Sequence, residues 1–196
     1  MKLLKHLTVL TILLFPGFNA CHSQSSSSVF LYDCKKSFSI KMIPGTPNIK
    51  MSATNCQDYL FKLDIVKQAL DIFVNEYSEE FQISKSKTWS LLRDLKIEFS
   101  AIPKTVGAAH DISGKLIVGK VPVSGLAMNK DLIWVEVRTS QLWSSALIHE
   151  IIHAIIWRKN IVHGDPDHEG SNFSGWTKRH TKLIERVNKI LLDTEI

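Results

Sequence analysis

Across residues 57–81, Leu60, Phe61, Leu63, Ile65, Val66, Ala69, Leu70, Phe73, Val74 and Tyr77 recur at three- and four-residue spacing. That spacing predicts one long helix with a single apolar face, capped by Asn55 or Asp58. Residues 95–101 alternate apolar and polar and stop short of Pro103, the pattern of a strand. Residues 103–131 are rich in Gly, Pro, Val and Ser, with Leu116-Ile117-Val118 and Val121-Pro122-Val123 as two short strand candidates. The clearest strand is 132–139. It sets Ile133, Val135 and Val137 on one face and Leu132, Trp134, Glu136 and Arg138 on the other. Thr139 or Ser140 is then placed to cap a strongly apolar helix running to about Lys159, where Asn160 can stop it. Residues 178–192 form an amphipathic terminal helix through Leu183, Ile184, Val187, Ile190 and Leu191. Helix, small sheet, helix, helix, with no internal repeat, predicts an α+β domain.

Composition narrows the class. A chain of 196 residues with 44% hydrophobic and 22% charged residues is ordinary globular usage, which excludes disordered and collagenous chains. The 24 basic side chains against 19 acidic ones give a formal +5. Lys2 and Lys5 lie ahead of the domain, and without them the excess is a formal +3, 22 against 19. No Lys/Arg block concentrates it, so nucleic acid is not an expected partner.

The N-terminus reads as a targeting segment. Lys2 and Lys5 make a basic start, residues 7–15 are apolar, and Pro16-Gly17 break any helix ahead of Ala20-Cys21. A small residue before Cys after such a run resembles the lipobox of bacterial lipoproteins, in which the leader is cut before a cysteine that carries lipid. Phe18 and Asn19 depart from the usual residues of that box. Cleavage near Ala20 by ordinary secretion is the alternative. The expected division is a signal peptide over 1–20, a serine-rich tether over 21–30, and one domain over 31–196. The expected location is the bacterial cell envelope, lipid-anchored through Cys21. With Cys21 set aside, Cys34 and Cys56 remain as an even pair in an oxidising compartment. Their disulfide would close a loop containing Pro44, Gly45 and Pro47, and two unpaired thiols are the alternative.

Chemistry concentrates in the helix after 132–139. It contains His149-Glu150-Ile151-Ile152-His153, an H-E-x-x-H. Four residues advance about 400°, so both imidazoles fall on one face, one turn apart. That separation suits one Zn²⁺ bound by two nitrogens. Glu150, one step from His149, can lean over an open coordination position and accept a proton there without being a ligand. The surrounding Ile148, Ile151, Ile152, Ile155 and Ile156 mark the helix as buried. Two histidines and a glutamate inside a buried helix need partners.

This arrangement resembles the zincin metallopeptidases, over roughly residues 95–170. The resemblance implies an HExxH helix beneath a small, mostly antiparallel sheet whose edge strand binds substrate backbone along the cleft. It further implies that residues 132–139 are that edge strand, Zn²⁺ the cofactor, and a peptide or protein the substrate. The metzincin subfamily is disfavoured, because Ile156 and Lys159 stand where its glycine and third histidine belong. The gluzincin pattern would draw its third ligand from a later helix, where Glu185 is the well-placed candidate.

A catalytic zinc site needs three protein ligands and an open position. His163-Gly164-Asp165-Pro166-Asp167-His168-Glu169-Gly170 is dense in ligand types. From His153 the helix continues about 9 Å to Lys159, and the chain must then cover that distance back. His163 leaves only four residues for the turn and return, whereas His168 leaves nine with a bend at Gly164 to Pro166. The loop and a following aromatic, Phe173 or Trp176, also resemble exported bacterial HExxH proteins with a Gly-Asp-Pro-Asp-His loop. His168 is therefore the expected third ligand, with His163 and Asp165 as alternatives. Asp165 would resemble the aspzincins. Asp167 suits a carboxylate orienting a ligating imidazole, and Glu169 suits the surface.

His110 reads as an exposed loop histidine, with polarisation of a substrate carbonyl as its functional alternative. Trp134, Trp143, Trp157 and Trp176 read as core. His180 and Arg179, at the start of the terminal helix, are candidate oxyanion partners that nothing in the sequence selects. Two functions remain: an exported zinc-dependent peptidase, or a non-catalytic metal-binding lipoprotein with a structural or interaction role. An intact Glu150 favours the first, since a structural site needs no base.

Overall fold

The computed structural model describes residues 38–54, 63–100, 104–110, 116–136, 146–159 and 175–194. In chain order these form β1 (Phe38–Met42), β2 (Lys50–Thr54), α1 (Leu63–Phe81), α2 (Lys85–Leu91) and β3 (Lys96–Ser100). There follow β4 (Lys104–His110), β5 (Leu116–Val123), β6 (Gly125–Asn129), β7 (Leu132–Glu136), α3 (Leu147–Arg158) and α4 (Lys178–Asp193). The class is α+β. Among the described residues no helix is long and apolar enough to cross a membrane.

Five strands form one sheet in the order β1-β2-β3-β7-β6, and β4 and β5 form a separate antiparallel pair. The sheet is mixed, which corrects the expected mostly antiparallel one. β2 pairs parallel with β3 (Met51 opposite Ile97), and β3 pairs parallel with β7 (Ile97 opposite Ile133). Only the outer pairs, β1 with β2 and β6 with β7, are antiparallel. The physical reason is the connection: α1 and α2 stand between β2 and β3, and such a crossover returns the chain in the same direction.

A second correction concerns the edge. β7 lies inside the sheet, and Ile133, Trp134, Val135 and Glu136 are all buried. The edge beside it is β6, which turns at Lys130 and Asp131 and pairs antiparallel, Leu126 opposite Trp134. The two short candidates at 116–123 are one continuous strand, β5, with Gly119 in the left-handed region at φ 125°.

Met51, Ala53, Ile97, Phe99, Ile133 and Val135 alternate onto the inner face of the sheet and are 1% exposed or less. They share one core with the apolar faces of the helices: Val66, Leu70, Phe73 and Tyr77 of α1, Ile151 and Ile155 of α3, and Leu183, Val187 and Leu191 of α4. α1 ends at Gln82, a left-handed residue at φ 52°, and Ser84 caps α2 by accepting from the Lys87 N–H at 3.1 Å. The expected caps of α1, Asn55 and Asp58, fall outside the described residues. α3 spans Leu147–Arg158 with Ala146 as its N-cap, and the expected caps Thr139 and Ser140 lie outside the described residues.

Candidate metal centre

α3 carries its isoleucines into the core and turns His149, Glu150 and His153 toward β6 and the start of α4. The Nε2 atoms of His149 and His153 lie 2.9 Å apart, with ring centroids at 4.7 Å and planes at 58°. Two nitrogens bound to one tetrahedral zinc at about 2.0–2.1 Å each stand about 3.3 Å apart. The pair therefore converges to within a few tenths of an ångström of a shared-ion spacing. At 2.9 Å a single proton fits between the nitrogens, one ring donating to the other. His153 is 2% exposed and His149 half-buried, so the pair opens to one side.

The indole of Trp176 backs both imidazoles, with centroids 5.1 Å from His149 and 4.8 Å from His153. Trp176 is itself 2% exposed, and its Nε1–H donates to Thr181 Oγ1 at 3.1 Å, which fixes the ring. The stack continues to His180 at 5.7 Å and from there to Phe81 at 4.7 Å. Trp176 is thus core, as expected, but core that supports the histidines.

His180 does not face the pair. Its Nδ1 accepts from the Thr177 N–H at 3.0 Å as part of the α4 cap. Burial, with Lys159 and Arg179 nearby, pushes it down from 6.5 to about 4, so the ring is neutral. Arg179 pairs with Glu80 at 2.8 Å and lies over Phe81, so neither oxyanion candidate reaches the histidine pair. Behind them Lys159 Nζ donates to Tyr77 OH at 2.8 Å. Burial lowers the Lys159 ammonium and pushes the Tyr77 phenol up to about 12.

Glu150 is 5% exposed and sits in the first turn of α3, where the helix dipole favours a carboxylate. Across from it is Gly125, the first residue of β6. A Cβ added there would lie 2.5 Å from Glu150 Oε1 and 2.6 Å from its Cγ. This contact was not legible in the sequence, where Gly125 is one glycine in a glycine-rich stretch.

Among the described residues, no three His, Cys, Asp or Glu side chains gather into a group that would hold a metal. The expected third ligand His168 and its alternatives His163 and Asp165 lie outside the described residues, as do Asp167, Glu169 and Phe173. So do Trp143 and the cysteines Cys21, Cys34 and Cys56. Glu185 is described, and it is exposed on α4, whose buried face carries Leu183 and Val187. Among the described residues it does not join the histidine pair in a ligand group. His110 ends strand β4 opposite Leu116, in place of the expected loop. Trp134 is fully buried beneath the Lys104 ammonium at 5.0 Å, and Trp157 packs at the core margin. Comparison with known proteins gives no match to a family model, a curated protein or a solved structure.

Proposed function

We propose that the chain is a zinc-dependent hydrolase of zincin-like fold that cleaves peptide bonds in the bacterial cell envelope, exported and lipid-anchored through Cys21. The observation that carries the reading is the convergence of the His149 and His153 Nε2 atoms to 2.9 Å with the Glu150 carboxylate one residue away on a buried helix. A buried helix that brings two imidazoles and a carboxylate together for packing alone would bear the cost of desolvating all three. The donor set is neutral imidazole, which suits zinc. His168 would complete it, with His163 or Asp165 as the alternatives. Bound there, zinc would acidify water and polarise a carbonyl. Glu150 holds the position of a general base and would carry the proton to the leaving amine. The antiparallel edge strand β6 begins against Glu150, which supports an extended peptide lying along it.

Metal analysis of the purified chain tests the first half: one zinc per chain is expected, and a His153→Ala variant should lose it. Glu150→Gln tests the second half. It should keep zinc near one per chain while turnover of a peptide-library substrate falls by roughly 10² to 10⁴. Full turnover in Glu150→Gln would exclude Glu150 as the base, and bound zinc with no turnover of any library substrate by the wild-type chain would leave a non-catalytic metal site.

A further inference from the structure

We infer that Gly125 is a positioning residue: the missing side chain at the start of β6 is the slot that fixes the Glu150 carboxylate beside the histidine pair. The inference rests on the proposed reading of Glu150 as a general base.

Gly125 stands opposite Val135 at the β7 end nearest α3. The strand is held there by the Glu136 N–H, which donates to the Ser124 carbonyl at 2.8 Å. The helix is held by its own first turn, with the Glu150 N–H donating to the Ala146 carbonyl at 2.9 Å. Between these two fixed backbones a Cβ on residue 125 would meet Ala146 Cβ at 2.5 Å, Glu150 Oε1 at 2.5 Å and Glu150 Cγ at 2.6 Å. Carbon atoms in contact rest about 3.5–4.0 Å apart, so all three overlaps are about 1 Å too close. Swinging the carboxylate tip away would relieve only one of them.

Backbone conformation is not the reason for glycine here. Among the described residues the glycines in the left-handed region are Gly45, Gly119 and Gly175, and Gly125 is not one of them. Volume is the reason, and Glu150 fills it. The carboxylate is therefore confined by the edge strand on one side and its own helix on the other, with His149 as its chain neighbour. A side chain at 125 would push Glu150 off the position from which it exchanges a proton. The three nearest atoms to that Cβ belong to Ala146 and Glu150, so His149 and His153 are expected to keep their spacing.

The test is Gly125→Ala in the full chain, read by kinetics, zinc content and thermal stability of the metal-free protein. Expected are one zinc per chain, kcat lower by about 10²-fold and KM within about threefold, the split of a displaced base. The Tm of Gly125→Ala should fall by roughly 5 °C. In a Glu150→Ala background, which removes Cγ and Oε1, the same substitution should cost less than half of that shift. An equal Tm loss in both backgrounds would overturn the inference, because the fit would then be to Ala146 alone. Unchanged kcat in Gly125→Ala would overturn it as well. If Gly125→Ala does not fold, the Gly125→Ala/Glu150→Ala double variant must fold for the inference to stand. Full turnover in Glu150→Gln with the Tm coupling intact would remove Glu150 as the base and leave the slot as a packing feature.

Discussion

The two ends of α3 are held by different physics. At its C-terminal end Arg158 donates from Nε to the Lys130 carbonyl at 2.6 Å, and from Nη1 to the carbonyls of Leu91 at 2.6 Å and Arg93 at 2.8 Å. Its Nη2 meets Asp131 at 2.8 Å. One guanidinium thus ties the helix to the end of α2 and to the β6–β7 turn, with its side chain only 12% exposed. At the N-terminal end Ala146 offers no side-chain cap. There the packing is close, with Gly125 against Glu150 and Trp176 against both histidines. The polar clamp stands about 13 Å from His149 along the helix axis. Directional bonds from one guanidinium hold the end where no chemistry is proposed, and close packing by a glycine and an indole surrounds the end that bears the histidines.

The largest effect that would break this contrast is expected at Trp176. Trp176→Ala empties a volume 2% exposed and should destabilise by about 3–5 kcal/mol, read by denaturant unfolding. It should also weaken zinc binding, because both imidazoles lose the surface they rest on, whereas Trp176→Phe should keep most of the affinity. Equal zinc affinity in wild type and Trp176→Ala would show that the histidine pair does not depend on shape.

Arg158→Ala comes next. Charge-assisted bonds to three carbonyls and a carboxylate are lost, but those carbonyls lie near the surface and regain water, so about 2 kcal/mol is expected. The contrast sharpens if zinc affinity and kcat stay within about threefold while stability falls. A loss of zinc from Arg158→Ala comparable to that from Trp176→Ala would dissolve the division between the two ends.

What the sequence made legible follows the same division. Periodicity located α1, β3, β7, α3 and α4, because each buries one apolar face or strand in the shared core. The HExxH spacing likewise followed from helix geometry alone. The direction of pairing was not legible. Whether β3 runs parallel to β7 depends on which strands the chain crosses between them, and no local pattern encodes that. β6 was hidden because Gly125-Leu126-Ala127-Met128-Asn129 has neither alternation nor β-branched residues, and its strand character comes from pairing with β7. The glycine fit at residue 125 and the aromatic backing by Trp176 are relations across more than 20 residues of chain. They become visible only when both partners are in place.

The smallest prediction concerns pH, and it probes the stack behind the site. His180 is 5% exposed, stands between Trp176 and Phe81 in the row of rings that begins at the histidine pair, and is pushed down to about 4 in the folded chain. In the unfolded chain it takes its proton near 6.5. Between those values the unfolded state binds more protons, so stability is complete above about pH 6.5 and is lost as pH falls toward 4. The groups facing the ring agree with that sign: Lys159 and Arg179 oppose a third positive charge, and Glu80 only partly offsets them. The Nδ1 acceptor bond from Thr177 also requires the unprotonated nitrogen. From pH 7 to pH 6 this one group should cost roughly 0.7 kcal/mol. His180→Gln keeps an acceptor at the same capping position but cannot titrate. The difference in unfolding free energy between pH 7 and pH 6 should therefore be smaller in His180→Gln than in wild type by about that amount. An identical pH dependence in the two proteins would place the proton uptake elsewhere and separate His180 from the stack that supports His149 and His153.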